Sequence, residues 1–220
     1  MFGRSGGRPI VDTVSGPVAV ACVHSRLGVR CFLAVPLAEP ALNDVQHRLA
    51  TLRERVVQVR WARPETLHIT IHFFGQATDD EAARALAHVS PVASHTAPID
   101  VTLGRLGSFP PRGWPRVLWL GSEQESPALS ALAHACRAAL SGAGFEVEHR
   151  PFRAHCTLGR PRVPWSSEGR AAWMTALSEG TPRSVFTADR LVLYESRPAS
   201  GASVYEERAM LPLGSDAGAA

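Results

Sequence analysis

The sequence predicts an α+β fold built from two similar halves, and three observations carry that expectation. Short strand-like runs and amphipathic stretches follow one another without the regular alternation of a doubly wound parallel sheet. Each half holds one strand–helix unit. Each half also holds a strand-like segment with the triplet His-x-Thr, "ETLHITIHFFG" at 65–75 and "FRAHCTLGR" at 152–160. Two such halves can stand as lobes on either side of a cleft, in a single domain over residues 29–213.

Taken in order, residues 1–28 show no sustained period and are expected to form a loosely ordered leader, with one weak strand at 18–23. "VRCFLAVPL" (29–37) is short, apolar and closed by Pro40, as a buried strand is. Leu42, Val45, Leu49, Leu52 and Val56 then step by three and four, one face of a helix. Residues 57–75 read as a strand, a turn at Pro64 and a second strand ended by Gly75. A short helix follows at about 79–89, capped by Thr78 or Asp79. Residues 99–109 and 116–121 read as two strands, and Ser126-Pro127 opens a helix stopped by Gly142 and Gly144. After the second His-x-Thr segment come a helix at 167–178 and two last strands, "VFTADRLVLYES" and "SVYEERAMLPL". Residues 214–220 are expected to fray.

Composition narrows the chemistry. Hydrophobic residues at 45% and charged residues at 20% fit a globular chain rather than a disordered or fibrous one. No apolar run approaches the length of a membrane span, and the apolar run near the N-terminus lacks a cleavage-site context, so a cytoplasmic protein without a membrane partner is expected. The net charge of +3 is too small for bulk nucleic-acid binding but leaves room for a local basic cleft. All 23 basic residues are arginine. The absence of lysine removes the P-loop lysine, the Schiff-base lysine and the lysine that carries a nucleotide in ATP-driven ligases. Phosphate recognition survives, because guanidinium groups fork onto phosphate oxygens. Cys22, Cys31, Cys136 and Cys156 form no C-x-x-C pair and read as reduced, buried thiols.

Chance alone predicts about half a copy of His-x-Thr in this chain, so the doubled triplet is weak until its context is weighed. On a strand, residues two apart point to one face. His68 then stands beside Thr70, and His155 beside Thr157, while Ile69, Ile71 and Phe73, and Cys156 and Leu158, turn to the core. Two imidazoles and two hydroxyls around one small site suit phosphodiester cleavage. One neutral histidine takes a proton from water, and a second, protonated one gives a proton to the leaving oxygen. The hydroxyls donate to the non-bridging oxygens, and Arg160 adds charge to the same anion. Neither motif contains a carboxylate, so no metal and no cofactor is expected.

The bland readings go to the remaining candidates. His72 is four residues from His68, but strand geometry separates them, and it reads as a rim residue. Cys156 adjoins His155 on the opposite face and reads as a core thiol. His24, His47, His88, His95, His134 and His149 have no partner pattern. Phe32, Trp61, Trp114, Trp119 and Trp165 read as core or rim, with Phe32 able to face the cleft and meet a base.

In this setting the chain resembles the 2H phosphoesterases, named for two His-x-Thr/Ser-x motifs, and within them the RNA 2′,3′-cyclic phosphodiesterases, also called 2′-5′ RNA ligases. The resemblance covers about residues 29–213 through "RCFLAVPL", "VRWARPETLHITIHFFG", "LGSFPPRGWPRVLWLG", "RPFRAHCTLGR" and "LVLYESR", in that order. It implies a bilobal fold of two pseudo-symmetric lobes, antiparallel or mixed sheets lining a central cleft, and helices outside. It also implies hydrolysis of a 2′,3′-cyclic phosphate to a 2′-phosphate, with His68 as acid, His155 as base, and Thr70, Thr157 and Arg160 on the phosphate. The implied substrate is RNA with a cyclic phosphate end or a small cyclic nucleotide. Reverse joining, if any, is independent of ATP, and the default working unit is a monomer. The alternative is a binding module that keeps the fold and holds a nucleotide or RNA end without turnover.

Overall fold

The computed structural model describes residues 28–122, 124–199 and 202–214. The expected leader strand at 18–23, Cys22, His24 and most of the expected frayed tail lie outside them. Ten strands and four helices follow one another as β1 (Val29–Pro36), α1 (Ala41–Arg55), β2 (Val59–Trp61), β3 (His68–Ala77), α2 (Asp79–Ser94), β4 (Ile99–Leu103), β5 (Arg105–Phe109), β6 (Val117–Gly121), α3 (Pro127–Gly142), β7 (His155–Pro161), α4 (Ser167–Ser178), β8 (Ser184–Ala188), β9 (Arg190–Ala199) and β10 (Ala202–Pro212). A 3-10 turn, Pro64–Thr66, precedes β3.

Eight strands form one antiparallel sheet in the order β10-β9-β1-β3-β7-β6-β5, with β2 paired to β7. Its halves meet at a narrow seam. β1 and β3 share a long ladder, whereas β3 and β7 share only the pair Ile69↔Cys156. One lobe is therefore β10-β9-β1-β3, and the other is β7-β6-β5 with β2. β1 is buried on both faces, which is why Cys31 to Val35 read as an unbroken apolar run. Leu33 and Val35 enter the main core with the buried faces of α1, α2 and α3, while Phe32 and Ala34 turn to the opposite face with Val192 and Tyr194.

Helix starts follow their caps. The Thr78 hydroxyl accepts from the Glu81 amide while the Glu81 carboxylate accepts from Thr78, a complete capping box for α2. Ser126 and Ser166 cap α3 and α4 in the same way with one hydroxyl each.

Three expected boundaries move. α2 continues to Ser94 through Pro91, because the proline falls in the last turns while Val89 and Ala93 stay buried. β3 runs on to Ala77 through Gly75, whose φ of 72° is open to glycine without strain. The stretches 99–109 and 185–196 are each two strands rather than one, split at Gly104 and Asp189. β4 and β8 pair with each other in a separate two-stranded sheet, and the chain then diverts β5 and β9 into opposite lobes. Strand periodicity runs straight through both breaks, since a change of partner leaves no mark in an alternating pattern.

Candidate active site

The cleft forms where the two lobes part at the β3–β7 seam. Because Ile69 pairs with Cys156 in an antiparallel ladder, the register sets His68 opposite Thr157 and Thr70 opposite His155. The two histidines are then diagonal neighbours on one face. The intervening Ile69, Cys156 and Leu158 are wholly buried on the other face. The four expected motif residues thus come together as one quartet. A cleft of about 480 Å³ is lined by three of the four, His68, Thr70 and Thr157, and by Arg160, Arg30, Arg60, Arg63, Phe73 and Tyr205.

The same short bond orients both rings. His68 Nδ1 lies 2.7 Å from the Thr66 carbonyl, and His155 Nδ1 lies 2.7 Å from the Arg153 carbonyl, two residues upstream in each case. A carbonyl only accepts, so Nδ1 carries the hydrogen and Nε2 is the free basic nitrogen of each neutral ring. The second environments differ. His68 Nε2 is 3.1 Å from the Thr70 hydroxyl, and its ring is stacked on Phe32 at 4.8 Å and met edge-on by Tyr205 at 5.4 Å. His155 is met edge-on by Phe109 at 5.0 Å and by Trp119 at 6.3 Å.

Burial pushes the pKa of His68 down to about 4; the Thr66 carbonyl opposes this, and the charge of His155 adds to it. Burial also lowers the pKa of His155; the bond to Arg153 opposes this, and Arg160 adds to it. Each imidazole is therefore disfavoured as a cation in the empty cleft, and an anion between them would restore it. Arg160 is exposed, lines the cleft and acts on His155.

A bulge in β3 corrects two expectations. The register shifts between Leu33↔His72 and Ala34↔Thr70, so Ile71 has no partner and the alternation reverses after it. His72 is not a rim residue: it is 3% exposed, turned to the core against Phe74, with no partner on either ring nitrogen. Burial and the nearby Arg137 push its pKa down to about 4. Phe73 is not a core residue; it stands 62% exposed at the cleft wall, 5.6 Å from Phe32. Phe32 itself faces the cleft but is 2% exposed beneath His68, so it supports the imidazole and cannot meet a base.

Cys31, Cys136 and Cys156 are buried free thiols, and burial raises the Cys156 thiol to about 12. Among the described residues no group of three or more His, Cys, Asp or Glu is placed to hold a metal ion. No helix among them is long and apolar enough to cross a membrane. The sequence reading missed Tyr205, Arg30, Arg60 and Arg63. The signal for Arg60 and Arg63 was their place in "VRWARPETLHIT", just ahead of the first motif, whereas Arg30 and Tyr205 reach the cleft only through the β10-β9-β1 order.

Comparison with known proteins agrees with this geometry. The model of the 2′-5′ RNA ligase superfamily matches residues 30–198. The RNA 2′,3′-cyclic phosphodiesterase of Geobacillus stearothermophilus is 29% identical over 182 residues, 83% of this chain and 56% of that protein. The protein of the same name from Archaeoglobus fulgidus is 33% identical over 132 residues, 60% of this chain and 72% of that protein. The chain thus spans little more than half the length of the first relative and nearly three quarters of the second. In three dimensions it is similar to E. coli LigT complexed with 3′-AMP, at TM-score 0.67 and 21% identity, over 84% of this chain and 98% of that one. A protein of Thermus thermophilus matches at TM-score 0.67 and 23% identity, over 84% and 98%. Both likenesses speak for the bilobal fold.

Proposed function

We propose that this chain, which belongs to the 2′-5′ RNA ligase superfamily, hydrolyses 2′,3′-cyclic phosphate ends of RNA to 2′-phosphomonoesters by acid and base catalysis at His68 and His155. The single observation that carries the reading is the matched pair of Nδ1 bonds, which leaves a basic Nε2 on each of two histidines from opposite lobes. The names of the relatives supply the substrate class.

In this mechanism a water oxygen bonds to phosphorus, and His155 Nε2 takes one of its protons. The P–O3′ bond breaks, and the departing O3′ takes the proton of His68 Nε2. The product is a 2′-phosphate with a free 3′ hydroxyl, and the imidazoles exchange the proton with solvent before the next turnover. His68 takes the acid's part as the family resemblance implies, with the Thr70 hydroxyl 3.1 Å from its Nε2. Once that nitrogen is protonated it no longer accepts from Thr70, so the Thr70 hydrogen turns to a phosphate oxygen and the Nε2–H is left to the departing O3′. His155 suits the base because no hydrogen bond occupies its Nε2 among the described residues. Thr157, opposite His68, and Arg160 hold the remaining phosphate oxygens. Both histidines come from one chain, so a monomer suffices, and the buried free thiols fit the reducing cytoplasm.

Histidine substitution separates an enzyme from a module that only binds. With an oligonucleotide ending in a 2′,3′-cyclic phosphate, and EDTA present, His68→Ala and His155→Ala should each lose most turnover while still binding the 3′-phosphorylated analogue. Equal turnover by wild type and both variants would overturn the reading.

A further inference from the structure

The cleft carries more positive charge than one cyclic phosphate monoanion needs. Arg30, Arg60, Arg63 and Arg160 all line it, and among the described residues none of the four is held in an ion pair. Two of them are set directly against each other. β2 touches the sheet through three residues, and its register places Arg60 opposite Arg160. Like charges directly opposite on paired strands repel. Gly159 fixes this approach, because a Cβ there would lie 2.7 Å from Val59 and 2.8 Å from Trp61. The strand is thus pressed down beside the pair Arg60↔Arg160.

Tyr205 meets the His68 ring, while Arg30 lies further out along the sheet. Tyr205 on β10 is the register partner of Ser196 on β9, which is in turn the partner of Arg30 on β1, so these three residues form one row across the sheet. Arg30 is four residues along β1 from Ala34, the partner of Thr70, roughly 13 Å of strand. The charges of Arg160, Arg60 and Arg30 fall on the Tyr205 hydroxyl, whereas the charged group that acts on His68 is His155. Arg160 acts on both Tyr205 and His155.

We infer that Arg30, Arg60 and Arg160, which line the cleft together with Tyr205, form a second anion subsite that holds the internucleotide phosphate on the 5′ side of the terminal nucleoside. The inference rests on the cyclic phosphodiesterase reading and deepens it. It selects the end of an RNA strand over a free cyclic nucleotide, because the latter has no second phosphate to offer.

The test compares kcat/KM for 2′,3′-cyclic AMP with that for the dinucleotide ApA ending in a 2′,3′-cyclic phosphate. Wild type should favour the dinucleotide by about tenfold or more, the scale of a charge-assisted hydrogen bond. Arg60→Ala and Arg30→Ala should each reduce that ratio by about tenfold, and Arg60→Lys should recover part of it, with melting temperatures confirming the folded state of each variant. A wild-type ratio near one, or an Arg60→Ala loss equal on both substrates, would overturn the subsite. So would 5′-phospho-2′,3′-cyclic AMP gaining as much as the dinucleotide, since that would assign the arginines to a terminal monoester. If wild type turns over neither cyclic substrate, the activity reading fails by itself. Calorimetry with ApA 3′-phosphate against 3′-AMP then decides the subsite: tighter binding of the dinucleotide that Arg60→Ala abolishes supports it, and equal binding overturns it.

Discussion

Ile69 on β3 and Cys156 on β7 are the register partners at the seam between the lobes, and through that one pair each His-x-Thr motif meets the other. His68 falls beside Thr157 and His155 beside Thr70, so neither motif makes a site alone. In the proposed mechanism the catalytic unit is the crossed quartet, and its members should fail together.

Single substitutions of His68 or His155 by Ala should each lower kcat by roughly 10²- to 10⁴-fold. The double variant should be little worse than the poorer single one, because acid and base act in one step. Single-turnover rates on a cyclic-ended oligonucleotide check this, and fully multiplicative losses would contradict it.

The pH profile of kcat/KM should be displaced to the acid side. Both imidazoles have pKa values below the ordinary 6.5 in the free protein, with His68 near 4. A pair in which one ring is charged and the other neutral is most populated between the two pKa values, whichever ring plays which part. The optimum of kcat/KM should therefore lie below pH 6.5. A bound phosphate anion stabilises both imidazolium forms, so the optimum of kcat should lie at higher pH than that of kcat/KM. Coincident optima above pH 7 would contradict the burial of the pair.

Cys156→Ala should leave turnover within a few-fold of wild type and cost about 1 kcal/mol of stability through the lost packing. The thiol is wholly buried and faces away from the imidazole beside it in sequence. Chemical denaturation and steady-state rates read the two effects separately. A loss as large as that of His155→Ala in folded protein would place the thiol in the chemistry.

Gly159→Ala should destabilise the protein by about 1–3 kcal/mol and weaken turnover, because the added methyl pushes β2 from β7 and moves Arg60. Urea midpoints and kcat/KM on the same sample check both parts. An alanine variant with unchanged midpoint and rate would show that β2 is not held there.

His72 should make the fold acid-sensitive. Its pKa is about 4 when folded and about 6.5 when unfolded, so the unfolded chain binds the additional proton between those values. The stabilisation is complete above pH 6.5 and is lost as pH falls towards 4. His72→Leu should flatten the dependence of the melting temperature on pH in that window, beyond what His68 and His155 leave. An unchanged slope would mean that His72 is already free to ionise in the folded state.

The sequence made much of this visible where local pattern and partner agree. The helical steps of Leu42, Val45, Leu49 and Leu52, the caps Thr78 and Ser126, and the two motif strands are all local signals. His72 and Phe73 were misplaced because a bulge depends on the partner strand, here on the ladder with β1. The splits at Gly104 and Asp189 stayed hidden for the same reason, since both sides of each break keep an alternating pattern. Of the candidate site, both histidines, both threonines and Arg160 were legible by motif. Arg30 and Tyr205 were not, because strands far apart in sequence bring them to the cleft.

The most direct measurement of the central claim is the identity of the product. Purified protein is incubated with EDTA and a short RNA ending in a 2′,3′-cyclic phosphate, and the end is followed by phosphorus NMR. The account predicts loss of the cyclic resonance and appearance of a 2′-phosphomonoester alone. An unchanged cyclic end, or a 3′-phosphate as product, would contradict it.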